Sequence, residues 1–76
     1  MKKHTKKLQD AVNKLSEAVA ILEDVITERE EFSSEKSEAW QEGDAGDTYM
    51  GATETLTEAK DEAENAKDSI EEVLDA

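Results

Sequence analysis

Apolar residues recur at intervals of three and four in both halves of the 76-residue chain, and no proline interrupts them. This interval is the repeat of an α-helix. One series occupies residues 8–32 and the other residues 49–73, with the three glycines clustered around the middle of the chain. The pattern therefore predicts two long helices joined by a glycine-containing connector, and it argues against the disorder that low hydropathy and high charge would otherwise indicate.

Matched lengths predict that the two helices form an antiparallel hairpin within a single all-α domain. Helix 1 is expected at residues 5–32 and helix 2 at residues 48–75, each about 42 Å long at about 1.5 Å per residue. Thr5 and Asp47 are the expected N-caps. In this arrangement the basic N-terminal tail, residues 1–4, lies beside the acidic end of helix 2.

The connector, residues 33–47, leaves two interpretations open. A pair of serines at its start favours a break in helix 1, followed by a short helix that ends near Glu42 and by a glycine-containing turn. A seven-residue step from Phe32 to Ala39 instead permits helix 1 to continue through Trp40. We favour the break, because an uninterrupted helix 1 would extend two turns beyond helix 2.

The two helices differ in the width of their apolar stripes. Helix 2 has one narrow, alanine-rich stripe, formed by Tyr49, Ala52, Leu56, Ala59, Ala63, Ala66, Ile70 and Val73. Helix 1 has two adjacent rows. The first row is Leu8, Leu15 and Leu22, and the second is Val12, Val19 and Ile26. We expect one hairpin to leave the second row uncovered. This predicts a homodimer that forms a four-helix bundle. Its interface is expected at Val12, Leu15, Val19, Leu22 and Ile26.

Charge is distributed unevenly along the chain. Residues 1–14 carry five lysines and one acid, a net charge of +4, whereas residues 15–76 carry 20 acids and four cations, a net charge of −16. A body this acidic repels nucleic acid and anionic membranes and attracts basic protein surfaces. The predicted partner is therefore a basic protein surface, such as that of a nucleic-acid-binding protein, and neither nucleic acid itself nor a membrane.

Carboxylates are the candidate partner-binding residues. On helix 1 and the connector they are Glu23, Asp24, Glu28, Glu31 and Glu35, and on helix 2 they are Glu54, Glu58, Asp61, Asp68 and Glu72. Side chains three or four positions apart on a helix are about 5–6 Å from each other, a spacing comparable to that of phosphates along a nucleic-acid strand. The pattern is that of a nucleic-acid mimic. The alternative is a structural helical module whose acidity serves only solubility.

The three aromatic residues, Phe32, Trp40 and Tyr49, bracket the connector. We expect them to close the open end of the hairpin, and a second interpretation makes Trp40 an anchor for a partner.

Catalytic chemistry has little basis in this sequence. The chain has no cysteine, and its one histidine, His4, lies in the basic tail. The acids near the connector glycines lack the spacing of a calcium loop. We therefore expect a non-enzymatic protein without a metal or cofactor. No stretch approaches the roughly 20 apolar residues of a membrane span, and the basic start is not followed by the apolar run of a signal peptide, so a cytoplasmic location is expected.

Residues 28–49, EREEFSSEKSEAWQEGDAGDTY, resemble part of the small acidic helical-hairpin proteins of phage and prophage origin. The matching residues are Glu28, Arg29, Phe32, Ser37, Glu38, Trp40, Gln41, Gly46 and Tyr49. The resemblance implies a mobile-element context, and hence the host cytoplasm, without an assigned activity. Because small acidic phage proteins include DNA mimics that block host defence or nucleic-acid enzymes, it favours an inhibitor of that type.

Overall fold

The structure is a computed structural model that describes residues 3–76. Three helices account for nearly all of this range: α1 is Thr5–Ser34, α2 is Glu38–Glu42 and α3 is Asp44–Asp75. No strand occurs within it, which confirms the all-α prediction. None of these three helices combines the length and the hydropathy that crossing a membrane requires. The first two residues of the expected basic tail lie outside the described range.

The two long helices lie side by side. At about 1.5 Å per residue α1 and α3 are roughly 45 and 48 Å long, and the molecule measures 60 × 15 × 13 Å. Arg29, near the end of α1, donates hydrogen bonds to Tyr49 and Thr53, near the start of α3. These contacts join the C-terminal part of α1 to the N-terminal part of α3.

A single seam joins α1 and α3, and on both helices its members alternate steps of four and three. On α1 they are Leu8, Val12, Leu15, Val19, Leu22, Ile26, Arg29 and Ser33. On α3 they are Tyr49, Thr53, Leu56, Lys60, Ala63, Lys67, Ile70 and Leu74. Val12 and Ile26 are the most buried, with 5% and 9% of their surface exposed, and the other members are half-buried. The seam is therefore a narrow core one side chain deep.

Both apolar rows of α1 face α3 within this seam. The expectation that one chain leaves the row of Val12, Val19 and Ile26 uncovered is wrong, since Val12 and Ile26 are the best-buried side chains. Leu15 and Leu22 are half-buried beside them. The two rows lie on either side of one line of contact, as a and d positions do in a coiled coil, so α3 covers both. A folded chain already uses these five side chains internally, whatever else it binds.

The stripe expected on α3 is only half correct. Tyr49, Leu56, Ala63 and Ile70 face α1, but Ala52, Ala59, Ala66 and Val73 are exposed. Lys60 and Lys67 take their place in the seam. Counting along the two helices in opposite directions from the hydrogen bond between Arg29 and Thr53 matches Lys60 with Leu22 and Lys67 with Leu15. A lysine stem covers an apolar neighbour while its ammonium group stays in water, and Lys60 does so with a side chain 25% exposed.

The connector is shorter than expected, because α3 begins at Asp44 rather than at residue 48. Residues 43–46 do not form a turn: Gly43 is the N-cap, and Asp47 lies within the first turn of the helix instead of capping it. Helix α1 ends at Ser34, so the expected break between α1 and α2 is present. Ser37 caps α2 by accepting a hydrogen bond from the Trp40 amide at 3.3 Å. At the other end of the fold, His4 rather than Thr5 holds the N-cap position of α1.

Gly46 explains why α3 starts early. It is buried, and a Cβ at this position would collide with the backbone of Trp40 and Gln41. The glycine is thus needed for a close approach of α3 to α2, not for a turn. A glycine used for close approach has the same sequence signature as a turn glycine, which is why the pattern predicts a turn there.

Replacing Gly46 with alanine tests this close approach. We expect Gly46→Ala to lower the free energy of unfolding by about 1–3 kcal/mol, because α2 must move away from α3 to accommodate the methyl group. Gly51→Ala is the matched control, since nothing lies within 4 Å of a Cβ there. That change should raise stability by about 1 kcal/mol through helix propensity alone. Urea unfolding followed by circular dichroism measures both, and equal shifts for the two variants would contradict the packing described.

Candidate functional site: two faces and an aromatic cluster

An aromatic cluster joins all three helices at the connector end. The Phe32 ring, from α1, lies 5.1 Å from the Tyr49 ring of α3 and 6.0 Å from the Trp40 ring of α2, and Trp40 and Tyr49 are 5.7 Å apart between centroids. Edge-to-face and tilted geometries of this kind are favourable for aromatic pairs. The cluster fixes the position of α2, whose five residues include no fully buried side chain.

Two cations rest on this cluster. The Arg29 guanidinium stacks 3.9 Å from the centre of the Tyr49 ring, and its Nε and Nη2 atoms donate to Thr53 Oγ1 at 2.9 Å and Tyr49 O at 3.1 Å. Lys36 Nζ lies 4.4 Å from the centre of the Phe32 ring. Both are cation–π contacts, so aromatic faces hold these charges. The role of Arg29 at this junction was not expected, and a lone arginine in an acidic segment is the signal that points to it.

Trp40 is half-buried, and it also borders an open groove of about 510 Å³. The other residues that line this groove include Ala45, Thr48 and Ala52 of α3. Packing against Phe32 and Tyr49 fits the expected closure of the molecule's end. The groove beside the indole offers space for a partner's side chain, so the anchor interpretation stays a prediction.

The two long helices present opposite faces that differ in chemistry. A second groove, on the other side of the seam, is lined by Glu30 and Ser33 of α1 and by Met50, Thr53, Glu54 and Thr57 of α3. Residues seven positions apart lie on nearly the same side of a helix. Counting in steps of seven from the residues that line each groove therefore identifies the other residues on the same side of the molecule.

We define the acidic face as the side of the second groove. Its carboxylates lie at seven-residue steps from Glu30, Glu54 and Thr57. They are Glu23, Glu30, Glu54, Asp61, Glu64, Asp68, Glu71 and Asp75. All are exposed except Glu64, which is half-buried. The face carries an almost unbroken negative charge along α3.

We define the apolar face as the side of the first groove. Its members lie at seven-residue steps from Phe32 on α1 and from Ala45 on α3, together with Ile21 at its outer edge. They are Ala11, Ala18, Ile21, Val25, Phe32, Ala45, Ala52, Ala59, Ala66 and Val73. Ile21 and Val73 are 64% and 61% exposed. Apolar side chains of this size are usually covered when they form a continuous face.

The ten carboxylates expected to bind a partner are all exposed, but the structure does not bring them onto one surface. Four of them lie on the acidic face: Glu23, Glu54, Asp61 and Asp68. The other six lie on other sides of the rod. Asp24 and Glu31 are on the back of α1, and Glu58 and Glu72 are on the back of α3. Glu28 and Glu35 lie at the edge of the apolar face.

Four members of the acidic face are not among the ten candidates chosen from the sequence: Glu30, Glu64, Glu71 and Asp75. The signal that could have found them is their seven-residue spacing from the correct seam. Every second residue of the α3 seam was expected one position too early in the sequence. The residues on either side of the seam were therefore also assigned to the wrong sides of the helix.

Ion pairing leaves the acidic face largely uncompensated. Within residues 3–76 the ion pairs are Lys14 with Asp10 and Lys60 with Glu64, each at 3.7 Å and each between neighbours on one helical turn. Among the residues that the structure describes, Glu64 is therefore the one carboxylate of the acidic face with an ion pair. Residues 3–76 contain no group of three or more side chains arranged to hold a metal ion. The arrangement is chemically suited to attracting a cationic surface.

Comparison of the chain with protein-family models, with curated proteins and with solved structures finds no match.

A double-mutant cycle tests the junction built by Arg29. We expect Arg29→Lys and Thr53→Val to be coupled by about 1.5 kcal/mol, because each removes the same charged hydrogen bond. The matched control cycle pairs Arg29→Lys with Thr57→Val, since the Thr57 hydroxyl bonds only to Thr53 O within its own helix. Chemical unfolding measures both cycles. A coupling near zero in the first, or an equal coupling in the second, would refute the role given to Arg29.

Proposed function

We propose that the protein is a non-enzymatic inhibitor or modulator whose acidic face occupies a basic surface of a nucleic-acid-binding protein and so competes with DNA or RNA. One observation carries this proposal: eight carboxylates share one side of the rod, and only Glu64 has an ion pair within residues 3–76. Concentrating like charge on one side of a helix pair costs stability. A basic partner would offset that cost.

The dimensions of the acidic face support mimicry of a nucleic acid. From Glu54 to Asp75 the face extends about 31 Å along α3 at about 1.5 Å per residue. One turn of a DNA duplex is about 34 Å long. A basic groove shaped for one duplex turn is thus long enough for this face, and it would meet carboxylates where it normally meets phosphates.

The proposal includes finer features expected from the sequence. The chain acts as an antiparallel hairpin, consistent with the contacts between Arg29 and the start of α3. It is phage-encoded and works in the host cytoplasm against a host protein, as the resemblance of residues 28–49 implies. It is also a homodimer, although through a surface other than the one expected.

A second candidate function is a structural helical oligomerisation or adaptor module whose acidity serves only solubility. The apolar face favours it, because Ile21 and Val73 are more than half exposed. The two functions differ in their response to salt. Binding through carboxylates weakens as ionic strength rises, whereas binding through apolar side chains does not.

Nucleic-acid competition tests the leading proposal. A panel of purified basic DNA- and RNA-binding proteins is loaded with a short labelled duplex, and the anisotropy of the label is followed as this protein is added. We expect release of the duplex from at least one panel member at low ionic strength and much weaker release at physiological salt. Binding to panel members while the duplex stays bound, or no binding to any member at low salt, would contradict mimicry.

Charge reversal then locates the binding surface. We expect the triple change Glu54→Lys, Asp61→Lys and Asp68→Lys to weaken competition by on the order of tenfold to hundredfold, because exposed ion pairs contribute about 0.2–1 kcal/mol each. The matched control reverses three acids on the back of α1: Glu17, Asp24 and Glu31. It changes the net charge equally and should cost less than about threefold. Equal losses in the two variants would mean that total charge, and not the acidic face, determines binding.

A further inference from the structure

We propose that a second copy of this chain covers the apolar face, with the two α1 helices packed against each other in opposite directions. This inference deepens the homodimer of the proposed function, because it names the surface and the direction of packing. It does not rest on a nucleic-acid-binding partner, because the apolar and acidic faces lie on opposite sides of the seam. Each proposal can therefore fail without the other.

α1 carries a second stripe outside the seam. The stripe consists of the five α1 members of the apolar face and four charged residues, and its members again alternate steps of four and three. The charged members are Lys7, Lys14, Glu28 and Glu35. Such a repeat is typical of a helix that packs against a neighbour. Because α3 occupies the seam, the second stripe belongs to a second neighbour.

The charges of the second stripe are arranged symmetrically and with opposite sign about Ile21. Lys14 and Glu28 each lie seven residues from Ile21, and Lys7 and Glu35 each lie fourteen residues from it. Antiparallel packing of two copies about Ile21 brings each lysine beside a glutamate of the second copy. Parallel packing would instead bring lysines beside lysines and glutamates beside glutamates. Charge complementarity thus selects both the occupant and its direction.

Exposure along the stripe supports this arrangement. Ile21 is 64% exposed at the centre of the stripe, and Val25 and Phe32, further along it, are 36% and 44% exposed. On α3, the same face presents alanines at seven-residue steps, which allow two backbones to approach closely. An exposed apolar residue at the centre, with the apolar side chains of Ala18 and Val25 next to it, is a suitable core for a two-fold interface.

The available area is sufficient for a stable dimer. A face of 60 by 15 Å has a projected area of roughly 900 Å², and a standard interface buries about 800 Å² per partner. A single copy has a small core, since Val12 and Ile26 are the only buried apolar side chains among residues 3–76. The chain also has no cysteine for a stabilising disulfide. Small chains of this kind commonly gain stability by oligomerisation.

Placing a charge at the centre of the stripe tests the interface. We expect the wild type to be a dimer at high micromolar concentration by sedimentation equilibrium, and Ile21→Glu to weaken the dimer by on the order of 100-fold or more. The matched control is Ala20→Glu, which adds the same charge at an exposed neighbouring position on the other side of α1. It should leave the dimer intact. A wild type that is monomeric at high micromolar concentration would overturn the proposal and leave the apolar face to a different partner. Equal loss of the dimer in the two variants would overturn it as well.

A charge exchange tests the antiparallel direction. We expect Lys14→Glu alone to weaken the dimer by about tenfold, because it places like charges together at two symmetric positions. Adding Glu28→Lys should restore dimerisation to within about threefold of the wild type. The matched control combines Lys14→Glu with Asp24→Lys, which has the same net charge but alters the back of α1, and it should not restore the dimer. The antiparallel packing would be excluded if Glu28→Lys failed to restore the dimer, or if Asp24→Lys restored it equally well. Circular dichroism verifies that every variant is helical.

Discussion

The half-burial of Lys60 and Lys67 in the seam, at a step where alanines were expected, shows which side of α3 faces α1. Lys60 and Lys67 lie in the seam opposite Leu22 and Leu15, and the Lys60 ammonium group reaches Glu64 at the edge. The long stems span the distance to α1 better than the methyl group of an alanine would. Their placement turns α3 so that its alanines point away from α1. The acidic face and the apolar face both follow from this orientation.

The rotation separates two kinds of chemistry that the sequence interleaves. Carboxylates follow the seam of α3 on one flank, and small apolar residues follow it on the other. The first flank is suited to a cationic partner, because its charge is left largely uncompensated by the described residues. The second flank is suited to close contact with another helix. One short chain thereby has two surfaces with different dependence on salt.

The helices themselves could be predicted because their apolar spacing is regular and no proline interrupts it. The apolar rows of α1 were also identified correctly, since leucine, valine and isoleucine identify a seam clearly. The seam of α3 was misplaced, because alanine was counted as a core residue and lysine as a surface residue. In a two-helix layer that is one side chain deep, a lysine stem buries more surface than an alanine does.

The binding surface could be predicted only in part for the same reason. Every candidate carboxylate is exposed, but its side of the rod depends on the position of the seam, and half of the acidic face was therefore missed. The prediction of a turn in the connector was wrong for a different reason. Gly46 is required by the approach of α3 to the backbone of α2, a contact between residues distant from any local turn pattern.

Nuclear Overhauser contacts from the Leu22 methyl groups test the orientation of α3 most directly. The packing described here predicts cross-peaks from Leu22 to the methylene protons of Lys60 and none to the methyl protons of Ala59. Cross-peaks to Ala59 without any to Lys60 would place the alanines in the seam. That result would remove the division of the molecule into an acidic face and an apolar face.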